Sequence, residues 1–104
     1  MAESLQAFKA GVFKALAHPT RIRILELLRE GEKSVSEMQE LLGAEGSTVS
    51  QQLSVLRLTN LVETRRAGNV IFYRLRDRQV TKLLDVAQGL YKAHVTDLLS
   101  IGNK

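Results

Sequence analysis

The stretch from Lys33 to Leu75, KSVSEMQELLGAEGSTVSQQLSVLRLTNLVETRRAGNVIFYRL, limits the fold more than any other part of the chain, because helix starts, helix stops and a hairpin follow one another with little slack. Ser34 with Glu37 three residues later has the form of a capping box. It predicts a short helix over Val35 to Leu42, with Val35, Met38, Leu41 and Leu42 inward and Gly43 ending it. After Ala44-Glu45-Gly46, Ser47 is the expected N-cap of a further helix reaching about Leu58. At about 100° per residue Val49, Leu53 and Leu56 fall within a narrow arc and form its buried stripe. Ser47, Thr48 and Gln51 then point the opposite way, with Ser50 and Gln52 on the flanks. Asn60 tolerates the left-handed conformation and ends the helix. Leu61 to Arg66 and Val70 to Leu75 are β-prone runs joined by Ala67-Gly68-Asn69, a three-residue loop suited to a hairpin, which gives a two-stranded wing.

The flanks are helical. Leu5, Phe8, Val12 and Leu16 recur at helical spacing behind Ser4, a natural cap. Pro19 suits the first position of a second helix, on which Ile22, Leu25 and Leu28 share a face and after which Gly31 offers a left-handed stop. From about Arg78 to Ile101, Leu83, Leu84, Ala87, Leu90, Tyr91, Val95, Leu98 and Leu99 give a long helix a broad apolar face. The expected architecture is therefore mainly α with a small β-hairpin: about five helices and a two-stranded wing, in one domain over residues 1–104. The first and last helices are each amphipathic, flanking a core that Ile22, Leu25, Leu53 and Leu56 can already close. Their spare apolar surface predicts a homodimer through those two helices.

Several function classes drop out. A chain of 104 residues is one domain's worth and leaves no room for a separate catalytic module. No Ser/His/Asp set, phosphate loop or strong metal constellation is present to activate a nucleophile or water, so the chain reads as no enzyme. The absence of cysteine removes disulfides, thiolate metal sites and thiol redox sensing together. No apolar run approaches the roughly 18 residues of a membrane span, and MAESLQAFKAG lacks the basic head and apolar stretch of a signal peptide, so a cytoplasmic location is expected.

Charge is localised. Between Arg57 and Arg78 six arginines (57, 65, 66, 74, 76 and 78) face only Glu63 and Asp77, which equals the whole chain's net charge of +4. An arginine-rich edge can simply keep a short sheet from pairing with strangers; it can also be an electrostatic footprint for phosphate. The neighbouring helix favours the second. The major groove of DNA admits one α-helix and is read by side chains able to donate and accept at base edges. Ser47, Thr48, Ser50, Gln51 and Gln52 supply five such groups in six positions, without the Lys/Glu pairs that usually decorate a solvated face.

With these pieces assembled, ALAHPTRIRILELL (Ala15 to Leu28), STVSQQLSVLRLTNLV (Ser47 to Val62) and RRAGNVIFYRL (Arg65 to Leu75) closely resemble the ArsR/SmtB family of bacterial winged-helix repressors, in order and spacing over nearly the whole chain. The resemblance implies a homodimeric repressor that binds a palindromic operator in double-stranded DNA and releases it when an inducer acts. By position, Ser47, Thr48, Ser50 and Gln51 match the family's base-reading residues. Arg65, Arg66 and Asn69 match wing positions near phosphates or the minor groove. Gln52 and Arg57 complete the candidate DNA contacts. The family often has histidine in the polar cluster where this chain has Gln51-Gln52, and glycine where it has Asn60.

For metals the same matching mostly excludes. The third helix has no thiol, and of the last-helix ligand positions Asp77 is kept while Gln79, Leu90 and Ala93 are not ligands. His18 reads as a cap or packing residue of the second helix. His94 and Asp97, three apart on the last helix, are more simply a surface hydrogen bond than a nickel- or zinc-type site. No cofactor is expected. Two alternatives stand beside the operator-binding reading: a winged-helix module whose polar helix and arginines engage an acidic protein, and a metal-responsive repressor using His94 and Asp97.

Overall fold

The computed structural model describes residues 3–102. Among them run α1 (Leu5–Leu16), α2 (Pro19–Leu28), β1 (Lys33–Ser34), α3 (Val35–Leu42), α4 (Gly46–Leu58), β2 (Val62–Ala67), β3 (Val70–Leu75) and α5 (Gln79–Gly102). The three strands form one antiparallel sheet in the order β1-β3-β2.

Local chemistry sets most boundaries. Ser4 Oγ accepts the N–H of Ala7 at 3.1 Å to open α1. Pro19 occupies the first turn of α2, and the His18 imidazole caps it by accepting the Thr20 N–H at Nδ1. At α3 the capping box is complete: Ser34 Oγ accepts from Glu37 N at 3.2 Å and Glu37 Oε1 from Ser34 N at 3.0 Å. Asn60 takes φ 60°. The N–H of Asn60 then reaches Arg57 O at 3.0 Å and that of Leu61 reaches Leu56 O at 2.9 Å, the paired bonds of a Schellman stop. Ser34→Ala is expected to cost about 1 kcal/mol of stability through the lost cap, read as a lowered thermal midpoint.

The core joins Ile24, Leu25 and Leu28 of α2, Met38 and Leu42 of α3, and Val49, Leu53 and Leu56 of α4 to Val62, Leu75, Val80 and Leu84. Two inward assignments are corrected. Ile22 is 37 % exposed and Ile24 takes its place, because α2 turns its Ile24 edge to the core and its Ile22 edge toward α1 and α5. Leu41 is 55 % exposed, since Met38 and Leu42 already fill the α3 contact.

Four boundaries also differ from expectation. Helix α4 starts at Gly46, with Glu45 at the cap position and no side-chain cap bond, so Ser47 lies inside the first turn instead of capping it. A Cβ on Gly46 would meet only the Gln39 side chain, its Oε1 at 3.0 Å. The hairpin loop has two residues, Gly68 and Asn69, because Ala67 pairs with Val70. Gly68 takes φ 62° at the first loop position, as a type II′ turn requires. Gly31 does take a positive φ, 140°, but two residues past the Arg29 cap of α2 rather than at the helix end. Finally, the wing gains a third strand: Lys33 pairs with Tyr73 and Ser34 with Phe72.

Candidate nucleic-acid interface

On α4 the side chains of Val49, Leu53 and Leu56 are fully buried, which fixes the helix's rotation. Ser47, Thr48, Ser50 and Gln51 are consequently exposed and Gln52 half-buried. Among the described residues none of these five side chains hydrogen-bonds within the chain; Ser50 is engaged only through its carbonyl, which accepts from Ser54 Oγ at 3.0 Å. Their donors and acceptors are thus available to an outside partner along one helix face. Arg57, exposed in the last turn of α4, adds a cation at its C-terminal end.

The wing divides its arginines by strand alternation. Val62 faces the core, so Thr64 and Arg66 share its face and Glu63 and Arg65 take the other. On the outer face, Arg74 Nε donates to Glu63 Oε1 at 2.9 Å across a directly paired position. The Arg65 guanidinium lies 5.0 Å from the centroid of the Phe72 ring, donates through Nε to Glu32 Oε2 at 3.1 Å, and donates through Nη2 to Glu32 Oε1. The hydrogen bond from Arg65, aided by the charges of Arg65 and Arg74, holds the Glu32 carboxyl below its ordinary range. Arg65 is raised in turn, chiefly by its hydrogen bond to Glu32.

Arg57, Arg66, Arg76 and Arg78 make no ion pair among the described residues. Arg66, opposite Ile71, is therefore the exposed cation next to the wing tip, where Asn69 is also exposed. The sequence pattern gives Arg65 and Arg66 one role; in the fold Arg65 is ion-paired with Glu32 whereas Arg66 is in no ion pair among the described residues, and Glu32 was not singled out. It lies 33 positions from Arg65, beyond any local pattern.

The metal candidates do not gather. Asp77 Oδ1 accepts the backbone N–H of Gln79 at 2.8 Å at the start of α5. His94 and Asp97 are exposed, and the hydrogen bond expected between them does not form, as neither appears in a side-chain bond among the described residues. Among those residues no three His, Asp or Glu side chains come together to hold a metal, and no helix is long and apolar enough to cross a membrane.

Away from α4 and the wing, α1 and α5 keep much apolar surface. Leu90 is 70 % and Tyr91 67 % exposed, and a groove of about 810 Å³ is lined by Phe13, Leu16, Ile22, Leu83, Leu90 and Tyr91 among others. Arg29, the cap residue after α2, ties α5 to the body through Asp85 at 2.8 Å, a bond that raises the Arg29 pKa.

Residues 18–64 match the family model described as bacterial regulatory protein, arsR family. The HTH-type transcriptional regulator Rv0081 of Mycobacterium tuberculosis is 43 % identical over 100 residues, covering 95 % of this chain and 88 % of the relative. Its crystal structure superposes with a TM-score of 0.82 over 94 % of this chain and 99 % of that one. The biofilm growth-associated repressor of Xylella fastidiosa is 40 % identical over 84 residues, 81 % of this chain and 74 % of the relative. The solution structure of the homodimeric winged helix-turn-helix DNA-binding domain Mb0332 from Mycobacterium bovis is 34 % identical, with a TM-score of 0.79 over 90 % of this chain and 93 % of that one.

Proposed function

Since the chain belongs to the arsR family of bacterial regulatory proteins, winged helix-turn-helix transcriptional regulators and not enzymes, we propose that it works as a homodimeric repressor on a palindromic operator. Residues 1–104 act as one DNA-binding domain in the cytoplasm, with α1 and α5 as the dimerisation helices. Helix α4 enters the major groove and reads bases through Ser47, Thr48, Ser50, Gln51 and Gln52. Arg57, Arg66 and Asn69 lie against the backbone and minor groove; Arg65, on the outer face of the wing, is already held by Glu32.

The observation that carries this reading is the α4 face itself: hydroxyls and amides, exposed or half-buried, whose side chains have no hydrogen-bond partner among the described residues, backed by a fully buried stripe, with Arg66 exposed on the wing and in no ion pair among those residues. The repressor and dimer assignments draw support from the Xylella relative, named a repressor, and from the homodimeric Mb0332 domain. Two-fold symmetry would set the two reading helices about 34 Å apart, or a multiple of that.

Selection from random duplexes tests it. Two inverted half-sites with that spacing should be enriched, and an unenriched pool would contradict the proposal. Replacing Gln51 or Ser47 by alanine should cost about 1–3 kcal/mol at particular base pairs only, whereas Arg66→Ala should weaken all sequences alike.

A further inference from the structure

We propose that Glu32 is a positioning residue for DNA binding: through Arg65 it fixes the wing at the point where the three-stranded sheet narrows to a two-stranded ribbon. The inference rests on the DNA-binding reading above and assigns Arg65 to the sheet, away from phosphate.

Register locates the strap. Ser34, Phe72 and Arg65 form the last row that contains all three strands. Beyond it, Arg66 pairs with Ile71 and Ala67 with Val70, and β1 supplies no partner. A two-stranded ribbon is marginally stable in water, and this one carries Arg66 and Asn69, the residues meant to meet DNA. From β2 the Arg65 side chain crosses the Phe72 ring of β3 and ends on Glu32, immediately before β1. It thus starts on the last full row and runs diagonally back across the sheet to the residue that leads into β1. Its two parallel N–H donors fit one carboxylate, a geometry that fixes direction as well as distance. Glu32 lies in the segment leading into α3 and hence to the reading helix, so the strap ties the wing to the α3–α4 pair independently of the core.

Charge alone makes the opposite forecast. Removing Glu32 deletes an acid beside a DNA-binding wing and should strengthen binding on electrostatic grounds. Positioning requires binding to weaken, so the sign of the change decides.

The test uses the full chain, a labelled duplex enriched by selection, and titrations at several salt concentrations. Glu32→Ala and Arg65→Ala are each expected to weaken binding about five-fold, the scale of a well-formed exposed ion pair. The double variant should lose no more than either single one, and the salt slope should stay at the wild-type value. Arg66→Ala, in contrast, should flatten that slope by about 0.9. Tighter binding by Glu32→Ala, or a slope flattened by about one unit in Arg65→Ala, overturns the inference and makes Arg65 a masked or direct phosphate contact. Hydrogen exchange without DNA is the second arm: amides 66–71 should exchange faster in both single variants, and unchanged exchange overturns the strap. If the unsubstituted protein binds no duplex at all, the DNA-binding reading fails, whereas the exchange arm still judges the strap.

Discussion

Leu53→Ala is expected to remove about 2–5 kcal/mol of folding stability, the transfer and cavity cost of emptying a buried leucine site. Leu53 is fully buried between Val49 and Leu56, in one cluster with Ile24, Leu25, Leu28, Met38 and Val62. A domain of this size has only about 5–15 kcal/mol in total, so the loss is a large share and should lower the melting temperature by about 10 °C or more. Leu53→Met, which roughly conserves volume, should cost less than about 1.5 kcal/mol. Thermal and urea unfolding followed by circular dichroism check both. Because Leu53 sits directly behind the polar face of α4, operator binding should fall with the folded fraction. A loss below about 1 kcal/mol would mean that the stripe is not packed as described.

The second large effect is expected at α5. If α1 and α5 close the dimer, Leu90→Glu places a carboxylate in apolar surface that a partner should cover, since Leu90 beside Tyr91 is 70 % exposed in the single chain. In an isologous interface the substitution occurs in both copies. At about 2 kcal/mol per copy, dimerisation should weaken about a thousand-fold. Sedimentation velocity should then show a monomer, and operator affinity should fall with it because one α4 contacts only one half-site. Leu90→Met should remain dimeric. A dimeric Leu90→Glu with wild-type operator affinity would move the interface elsewhere.

Where the sequence was legible, the deciding chemistry was local. Ser4, Pro19, the Ser34/Glu37 box and Asn60 each act on backbone groups within a few residues, so each helix limit they set was visible in a short window. The rotation of α4 was equally readable, because Val49, Leu53 and Leu56 form the one stripe that recurs along the helix, against Val55 and Leu58 confined to its last turn. Strand β1 was not, since two residues carry no periodicity and Lys33 and Ser34 become a strand only by pairing with Tyr73 and Phe72. Ile22 and Leu41 have the right spacing for the core, and tertiary contacts decided against them. The start of α4 was not legible either, since Glu45 takes the cap position without any side-chain cap bond to mark it. The division between Arg65 and Arg66 depended on Glu32, which only the folded sheet brings near.

The central claim is that α4 and the exposed arginines of α4 and the wing form a surface that reads duplex DNA. Its most direct measurement is a fluorescence-anisotropy titration of the unsubstituted protein on its enriched duplex across a salt series, beside a scrambled duplex of equal length. Half-saturation near nanomolar dimer is expected on the enriched duplex. Log affinity should fall linearly with log salt, by about 0.9 for each phosphate neutralised, several in all. The scrambled duplex should bind weaker by about a thousand-fold or more. Equal affinity for the two duplexes, or a flat salt dependence, would contradict the claim.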